Sequence, residues 1–188
     1  NRDIKNLKIL DVGCGGGIIC EPLARLGAKV TGIDFAPNNI SAAKIHSKKN
    51  KLKINYIHKD VEKSKLDGKF DLILMFEVLE HLDDWKKTIK KIKKNLNKNG
   101  IIIISTINRN SLSKLFAISI AENILKWIPK GTHDYNKLIK PEELKKTLTK
   151  ENFHFKNIKG LVFDPLSREW KLSKNFMVNY FCTANLIN

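Results

Sequence analysis

Short apolar runs alternate along the first half of the chain with segments that carry apolar residues at helical spacing. Five runs are rich in Ile, Leu, Val and Phe and lack a polar face, which is typical of strands buried on both sides of a parallel sheet. These predicted strands are 8–12, 29–34, 54–58, 70–76 and 100–106. Helices are predicted between them at 17–26, 38–50 and 84–97. Strand–helix alternation of this kind predicts a parallel sheet with helices on both faces.

The alternation changes after Thr106. Residues 108–128 place Leu, Ile and Phe on one helix-like stripe, and a new helix is predicted to start at Pro141, since proline is tolerated in a first turn. Two strand-like runs follow in the tail, at 153–158 and 178–183. The chain therefore returns to strand structure after a long helical interruption.

Together these elements predict one α/β domain over residues 1–188, with a seven-stranded, mostly parallel sheet that ends in an antiparallel hairpin. A chain of 188 residues is long enough for one full core and too short for two large ones. The segment at about 107–139 is an expected insertion that faces substrate or a membrane. No apolar run reaches about 18 residues, so no transmembrane helix is expected.

The formal net charge of +16 raises the question of a nucleic-acid partner. Only four of the 35 basic residues are arginine, the side chain that reads bases and phosphates in a bidentate way. A general lysine-rich composition explains the charge better, and an anionic membrane surface is the second explanation. The three cysteines have no metal-ligand spacing and indicate reduced thiols in a cytoplasmic compartment.

A glycine-rich loop follows the first predicted strand. A dinucleotide-binding fingerprint needs glycines at the first, third and sixth positions, and the sixth position is Ile18 counted from Gly13. The observed pattern is instead an acid followed by glycines at alternate positions, Asp11, Gly13, Gly15 and Gly17. Such glycines let the backbone pass close to a ligand and adopt positive φ.

Two acids stand at the ends of the next strands. Asp34 ends the second strand, where a carboxylate can accept both hydroxyls of a ribose, or alternatively cap the helix that follows. Asp60 follows the third strand and is a candidate for the adenine side of the same site, or a solvated loop acid.

A third cluster follows the fourth strand, where the carboxyl end of the sheet should open into a ligand crevice. Glu77, Glu80 and His81 are spaced so that one helical turn would put them on one face. Two carboxylates and an imidazole suit a divalent cation, but the same turn can also line a pocket without metal.

The loop of Asp11 and the alternate glycines resembles the cofactor loop of class I S-adenosylmethionine-dependent methyltransferases. An ordered series of later motifs narrows the resemblance to the ubiquinone-biosynthesis O-methyltransferase family (3-demethylubiquinol 3-O-methyltransferase, or 2-polyprenyl-6-hydroxyphenol methylase). The most specific motifs are Ser105-Thr106-Ile107-Asn108-Arg109 and Lys130-Gly131-Thr132-His133-Asp134, with Trp170-Lys171-Leu172 behind them. The resemblance runs over essentially the whole chain.

The resemblance implies O-methylation of a polyprenyl catechol or demethylubiquinol, with S-adenosylmethionine as cofactor. It implies that Asp11 lies near the ammonium end of this cofactor and Phe76 beside its adenosine, and that Glu77, Glu80 and His81 hold Mg²⁺ in some members. His133 is the candidate general base or substrate orienter, with His81 as the second candidate catalytic residue, and a structural turn histidine is the alternative for His133.

The resemblance also bears on partners and location. A polyprenyl tail resides in a bilayer, so residues 108–128 are expected to touch an anionic membrane surface or to cap the site. The expected location is the cytoplasm, peripheral to the inner membrane, with a ubiquinone-biosynthesis complex as a further candidate partner.

The chain departs from the family pattern in two places. Asn99-Gly100 stands where the family has a Pro-Gly-Gly turn, and it can form a comparable turn. The family also carries an N-terminal segment with a cofactor-contacting arginine, and we expect this segment to be missing here.

Three other functions remain open at this stage. The chain could methylate another small molecule, methylate RNA, or bind cofactor as a scaffold without catalysis. Only the first two are enzymes, and the +16 charge alone motivates the RNA alternative.

Overall fold

The computed structural model describes residues 3–113, 134–164 and 167–187. Its strands are β1 (Lys8–Val12), β2 (Lys29–Asp34), β3 (Asn55–His58), β4 (Phe70–Phe76), β5 (Leu96–Ile107), β6 (Phe153–Asp164), β7 (Glu169–Ser173) and β8 (Asn179–Leu186). Within the described ranges these form one eight-stranded sheet in the order β3-β2-β1-β4-β5-β8-β6-β7.

The helices are α1 (Cys20–Arg25), α2 (Pro37–Lys49), α3 (Trp85–Ile92), the single turn α4 (Ser111–Ser113) and α5 (Pro141–Lys150). Short 3₁₀ turns span Leu79–His81, Lys93–Asn95 and Tyr135–Lys137. In the described part of the chain, no helix is long and apolar enough to cross a bilayer.

Helix α3 is shorter than the predicted helix at 84–97. It begins where the Asp84 carboxylate accepts a hydrogen bond from the Lys87 amide at 2.9 Å. It gives way to a 3₁₀ turn at Lys93, and the buried Asn95 side chain then donates to the carbonyls of Leu66 and Gly68. These bonds to a distant loop end the helix, and a periodicity pattern does not reveal them.

The first five strands pair in parallel, which confirms the predicted α/β class. Strand β8 pairs antiparallel with both β5 and β6, so β6 runs in the same direction as β5. The carboxyl ends of β1, β2, β4, β5 and β6 consequently lie at one edge of the sheet. We refer to it as the carboxyl edge.

The sheet has one strand more than predicted. Strand β7 forms a hairpin with β6, in which Leu161 pairs with Leu172 and Phe163 with Trp170. The strict polar–apolar alternation of Glu169–Ser173 is the sequence signal of this strand, but it contains only two apolar residues.

Side chains alternate between two cores, one on each face of the sheet. Ile89 and Ile92 of α3 and Leu144 and Leu148 of α5 pack on the face that carries Ile73. On the opposite face, residues of α1 and α2 pack with β-strand residues: Cys20, Ile40, Ala43, Ile9, Tyr56 and Leu74. The helices therefore cover both faces of the parallel strands, as buried strands require.

The predicted insertion leaves and re-enters the fold at one place. The Ile139 amide donates to the carbonyl of Ile107, the last residue of β5, at 3.4 Å. The buried Tyr180 hydroxyl donates to the Ile139 carbonyl at 3.0 Å. Residues 114–133, which hold most of the insertion, lie outside the described residues, so the predicted helix at 108–128 stays a prediction.

Gly160 tests how tightly the strands near the carboxyl edge are packed. A Cβ at this buried position would lie 1.8 Å from the Asn175 carbonyl oxygen. Gly160→Ala should lower the free energy of unfolding by about 1–3 kcal/mol, because the crossing backbone must move. Urea unfolding measures this loss, and Gly16→Ala is the matched control, since its Cβ would meet nothing within 4 Å. Equal stability of the two variants would contradict the packing.

Candidate active site

The glycine loop begins at the carboxyl end of β1 and is tied to β2 by backbone hydrogen bonds. The amides of Gly13 and Cys14 both donate to the Ile33 carbonyl, at 2.8 and 3.0 Å. The amide of Gly15 donates to Oδ2 of Asp34 at 2.9 Å. The loop therefore takes its shape from the end of the neighbouring strand.

Three of the loop glycines have positive φ, at +72° for Gly13, +52° for Gly15 and +87° for Gly17. A Cβ at Gly13 would lie 2.4 Å from Val78, and one at Gly17 would lie 2.2 Å from the Tyr56 hydroxyl. These two glycines are required by the protein's own packing. At Gly15 a Cβ would meet nothing within 4 Å, so the loop is open to a ligand there.

Asp34 is buried and both of its oxygens accept hydrogen bonds. Besides the Gly15 amide, the carboxylate accepts from the Ala36 amide at 2.8 Å and from the Asn39 side chain at 3.3 Å. Asp34 therefore shapes the turn into α2, although the N-cap residue itself is Ala36. A carboxylate has about four acceptor sites, which leaves capacity for a ribose hydroxyl.

Asp11 lies below the loop, on the α1 side of β1, and is 2% exposed. The Cys20 thiol donates to its Oδ2 at 3.2 Å. Burial raises the pKa of the Asp11 carboxyl to about 6, with a smaller contribution from the negative charge of Asp34. A positively charged ligand group would lower this pKa again.

A cavity of about 580 Å³ opens at the carboxyl edge and brings together five predicted site residues. These are Gly13, Asp34, Asp60, Glu77 and His81. The exposed ring of Phe35 stands beside Asp34 in the same cavity. We refer to this space as the carboxyl-edge cavity. Gly17 instead lines a second cavity between α1 and α2.

The Asp60 side chain is 36% exposed, and backbone amides fix its orientation. Its Oδ1 accepts from the amides of Glu62 and Lys63 at 2.8 and 3.2 Å. Burial acts to raise the pKa of Asp60, but these amides and the Lys63 ammonium together hold it below its usual range. Asp60 is therefore a fixed negative charge on the wall of the cavity.

Phe76 ends β4 and packs edge-to-face on Phe181, with ring centroids 5.4 Å apart. It is half-buried and lies next to Glu77 in the chain. The ring lies at the carboxyl edge, but it is not among the residues that line the cavity.

Glu77 and Glu80 are each fixed by a hydroxyl from the end of β5. The Ser105 hydroxyl donates to Oε1 of Glu77 at 2.7 Å, and the Thr106 hydroxyl donates to Oε2 of Glu80 at 2.9 Å. Glu77 has a φ of +52°, which is uncommon for a residue with a side chain and occurs at functional turns. The Ser–Thr pair was part of the family resemblance, but its sequence gave no indication of this role.

The Glu80 carboxyl is 3% exposed, and its Oε1 is buried with no hydrogen-bond partner among the described residues. Burial raises its pKa to about 8, and the neighbouring Glu77 carboxylate adds to this effect. Burial therefore favours the protonated form of the Glu80 carboxyl when no cation is bound.

The predicted metal site is only partly assembled. Glu77 and Glu80 are neighbours, and His81 follows on the same 3₁₀ turn. Across residues 3–113, 134–164 and 167–187, no three His, Cys, Asp or Glu side chains are grouped closely enough to hold a metal ion. Two carboxylates with one unpartnered oxygen suit a cation, but the described residues do not supply a third ligand.

The start and end of the predicted insertion form a polar wall beside β5. Arg109 is ion-paired with Glu143 of α5. The Asn108 amide and side chain donate to the carbonyls of Val178 and Phe176, at 2.9 and 3.2 Å. His133, the predicted general base, lies outside the described residues and its role stays a prediction.

Comparison with known proteins gives the family. A methyltransferase domain model matches residues 1–157. The ubiquinone biosynthesis O-methyltransferase of Rickettsia typhi is 48% identical over 180 residues, covering 96% of this chain and 73% of the relative. The protein of the same name from Pelagibacter ubique is also 48% identical over 180 residues, with 96% and 75% covered.

Solved structures support the fold. Magnesium protoporphyrin IX methyltransferase from Synechocystis PCC 6803, with bound SAH, has a TM-score of 0.71 at 20% identity and covers 98% of this chain and 76% of its own. An S-adenosylmethionine-dependent methyltransferase from Mesorhizobium loti has a TM-score of 0.73 at 17% identity, with 98% and 93% covered. These structures show the fold, and the two relatives above show that the chain belongs to the ubiquinone biosynthesis O-methyltransferase family.

Proposed function

We propose that this protein transfers a methyl group from S-adenosylmethionine to a hydroxyl of a polyprenyl catechol or demethylubiquinol, as a step of ubiquinone biosynthesis. The observation that carries the proposal is the carboxyl-edge cavity. It joins the glycine loop and Asp34 on one side with Glu77 and His81 on the other. The names of the relatives give the substrate class.

The cofactor side of the proposal rests on Gly15, Asp34 and Asp11. The open space at Gly15 admits a ligand against the backbone, and the remaining acceptor site of Asp34 accepts a ribose hydroxyl. The bound cofactor supplies a methyl group already activated by its sulfonium. Asp11, once ionised, balances the positive charge of the ammonium end.

The acceptor side needs a base and a fixed orientation. The hydroxyl of the substrate loses its proton to a histidine, His133 or His81, and its oxygen then attacks the methyl carbon as the carbon–sulfur bond breaks. In this proposal Glu77, held by Ser105, accepts a hydrogen bond from the second ring hydroxyl. Phe76 and Phe181 give this side of the edge an aromatic surface.

Partners and location form a separate part of the proposal. A polyprenyl tail requires contact with a bilayer, so we place the protein at the periphery of the inner membrane, with other ubiquinone-biosynthesis proteins as candidate partners. The segment at 108–128 and the net charge of +16 support such contact. RNA as methyl acceptor has only this charge in its favour.

A methyl-transfer assay tests the proposal. Labelled S-adenosylmethionine should methylate a short-chain demethylubiquinol much faster than unrelated monophenols or RNA. Asp34→Ala should lower kcat/KM by about 10–100-fold, because a charged acceptor of several hydrogen bonds is lost. Asp67→Ala is the control, since its side chain is 81% exposed. Methylation of RNA but not of the quinol would contradict the proposal.

Because of Asp11, folding stability should fall and cofactor affinity should rise as the pH increases. Its carboxyl ionises near 3.8 ordinarily and near 6 in the fold, so the unfolded chain loses its proton first as pH rises. This term therefore destabilises the fold progressively between about pH 4 and pH 6. Cofactor affinity should rise over the same range and level off above it, being about tenfold weaker at pH 5 than at pH 7.

Calorimetric titration with S-adenosylmethionine and thermal unfolding, each at several pH values, measure the two slopes. Asp11→Asn should remove both. Asp3→Asn is the control, because the Asp3 side chain lies on the surface. An Asp11→Asn protein that keeps the wild-type affinity profile would show that Asp11 does not meet the cofactor's positive charge.

A divalent cation at Glu77 and Glu80 is also part of the proposal. The unpartnered oxygen of Glu80 beside a second carboxylate supports it, and the incomplete ligand set opposes it. Chelator-treated protein should bind Mg²⁺ saturably in calorimetry, and Glu77→Gln should not. Glu169→Gln, in the exposed β6–β7 hairpin, is the control. If Mg²⁺ gives no heat of binding and the chelator leaves the rate of methyl transfer unchanged, the proposed cation site is wrong.

A further inference from the structure

The β6–β7 hairpin extends past the rest of the sheet. The last residue of β6 that pairs with β8 is Lys159, and residues from Gly160 to Asp164 pair with β7 alone. Because β6 runs in the same direction as β5, this part of the hairpin projects beyond the carboxyl edge. The projecting part of the hairpin and the carboxyl-edge cavity therefore lie at the same edge of the sheet.

One face of the projecting hairpin is apolar and open to solvent. Leu161 and Phe163 alternate onto it from β6, and Leu172 and Trp170 oppose them from β7. The rings of Phe163 and Trp170 contact each other at a tilt of 56°, with centroids 5.4 Å apart. Phe163 is nevertheless 46% exposed, Trp170 62% and Leu172 64%. A contiguous apolar surface of this kind marks an interaction site.

The sheet register connects this face with the aromatic side of the site. Phe76 pairs with Ser105, Ser105 with Phe181, and Phe181 with Lys159. Residues paired in this way share one face of a sheet, and Leu161 and Phe163 continue that face beyond Lys159. Three strand spacings, about 14 Å, separate β6 from Phe76.

Basic side chains border the apolar face. Between residues 156 and 175 the chain has five basic residues against two acidic ones. Of the acids, Asp164 is already ion-paired with Lys171 at 2.7 Å. Lys159 lies at the inner border of the face, and Arg168 lies in the hairpin turn. The surroundings of the apolar face are therefore positive, as is the whole chain at +16.

We propose that the β6–β7 hairpin docks on an anionic lipid bilayer, with Phe163, Trp170 and Leu172 in the headgroup region. An indole ring with one polar group suits this region, and lysines around an apolar patch attract acidic lipids. Docked in this way, the hairpin turns the carboxyl edge of the sheet toward the membrane. The reason for such docking rests on the proposed function, because a polyprenyl substrate would enter the site from a bilayer.

Vesicle binding tests the hairpin. The full chain should co-sediment with vesicles of phosphatidylglycerol and phosphatidylcholine, and bind pure phosphatidylcholine vesicles much more weakly. Trp170→Ser and Leu172→Ser should each weaken binding to the anionic vesicles by about fivefold or more, from the loss of buried apolar surface. Leu26→Ser is the matched control, because Leu26 is 63% exposed at the opposite edge of the sheet. It should bind as wild type does.

Two outcomes would overturn the proposal. The hairpin variants could bind vesicles as tightly as wild type, which would place any lipid contact elsewhere. Alternatively, light scattering could show a wild-type dimer that Trp170→Ser converts to monomers, which would assign the face to a second copy of the chain.

The methyl-transfer assay separates this proposal from the proposed function. With a water-soluble catechol, Leu172→Ser should keep wild-type activity, because the hairpin is not in the cavity. With a polyprenyl substrate in anionic vesicles it should lose activity in proportion to its lost binding. An enzyme inactive on every catechol that still binds vesicles through the hairpin would refute the proposed function and leave the lipid surface intact.

Discussion

The carbonyl of Ile33 accepts hydrogen bonds from the amides of both Gly13 and Cys14. The site depends on these bonds, which connect the loop after β1 to the end of β2. They form only when Val12 pairs with Ile33 in the parallel register. A slip of one residue would turn Asp34 to the other face of the sheet and leave the loop amides without acceptors. The positions of Gly15 and Asp34 therefore follow from strand pairing, and the strand pairing follows from continuous apolar runs.

On the opposite side of the carboxyl-edge cavity, the structure must hold two acidic side chains close together. Glu77 and Glu80 are neighbouring acids whose ionised forms repel each other, and each is held by a hydroxyl, of Ser105 and Thr106 respectively. The fold accommodates the pair by raising the pKa of the buried Glu80 carboxyl and by a left-handed backbone at Glu77. Such an arrangement costs stability, which is typical of groups retained for what they do to a ligand.

The sequence predicted the parallel strands closely, because strands buried on both faces leave an unmistakable apolar run. It also predicted that Gly13, Asp34, Asp60, Glu77 and His81 meet, since each follows or ends such a strand. The sequence did not predict side-chain contacts between segments that are distant along the chain. Val78 against Gly13, the hydroxyls that hold the acid pair, and the end of α3 at Asn95 depend on partners far away in sequence. Strand β7 was not predicted because its alternation contains only two apolar residues, Trp170 and Leu172.

The strand order has a consequence for synthesis. Strand β8 follows β5, β6 and β7 in the chain, yet it lies between β5 and β6 in the described sheet and connects them. As the chain leaves the ribosome, β5 therefore keeps an unpaired edge, and the β6–β7 hairpin has no place in the sheet until residues 179–186 emerge. The described sheet is joined only when β8 pairs, so deletion of residues 179–186 would separate the β6–β7 hairpin from the parallel strands.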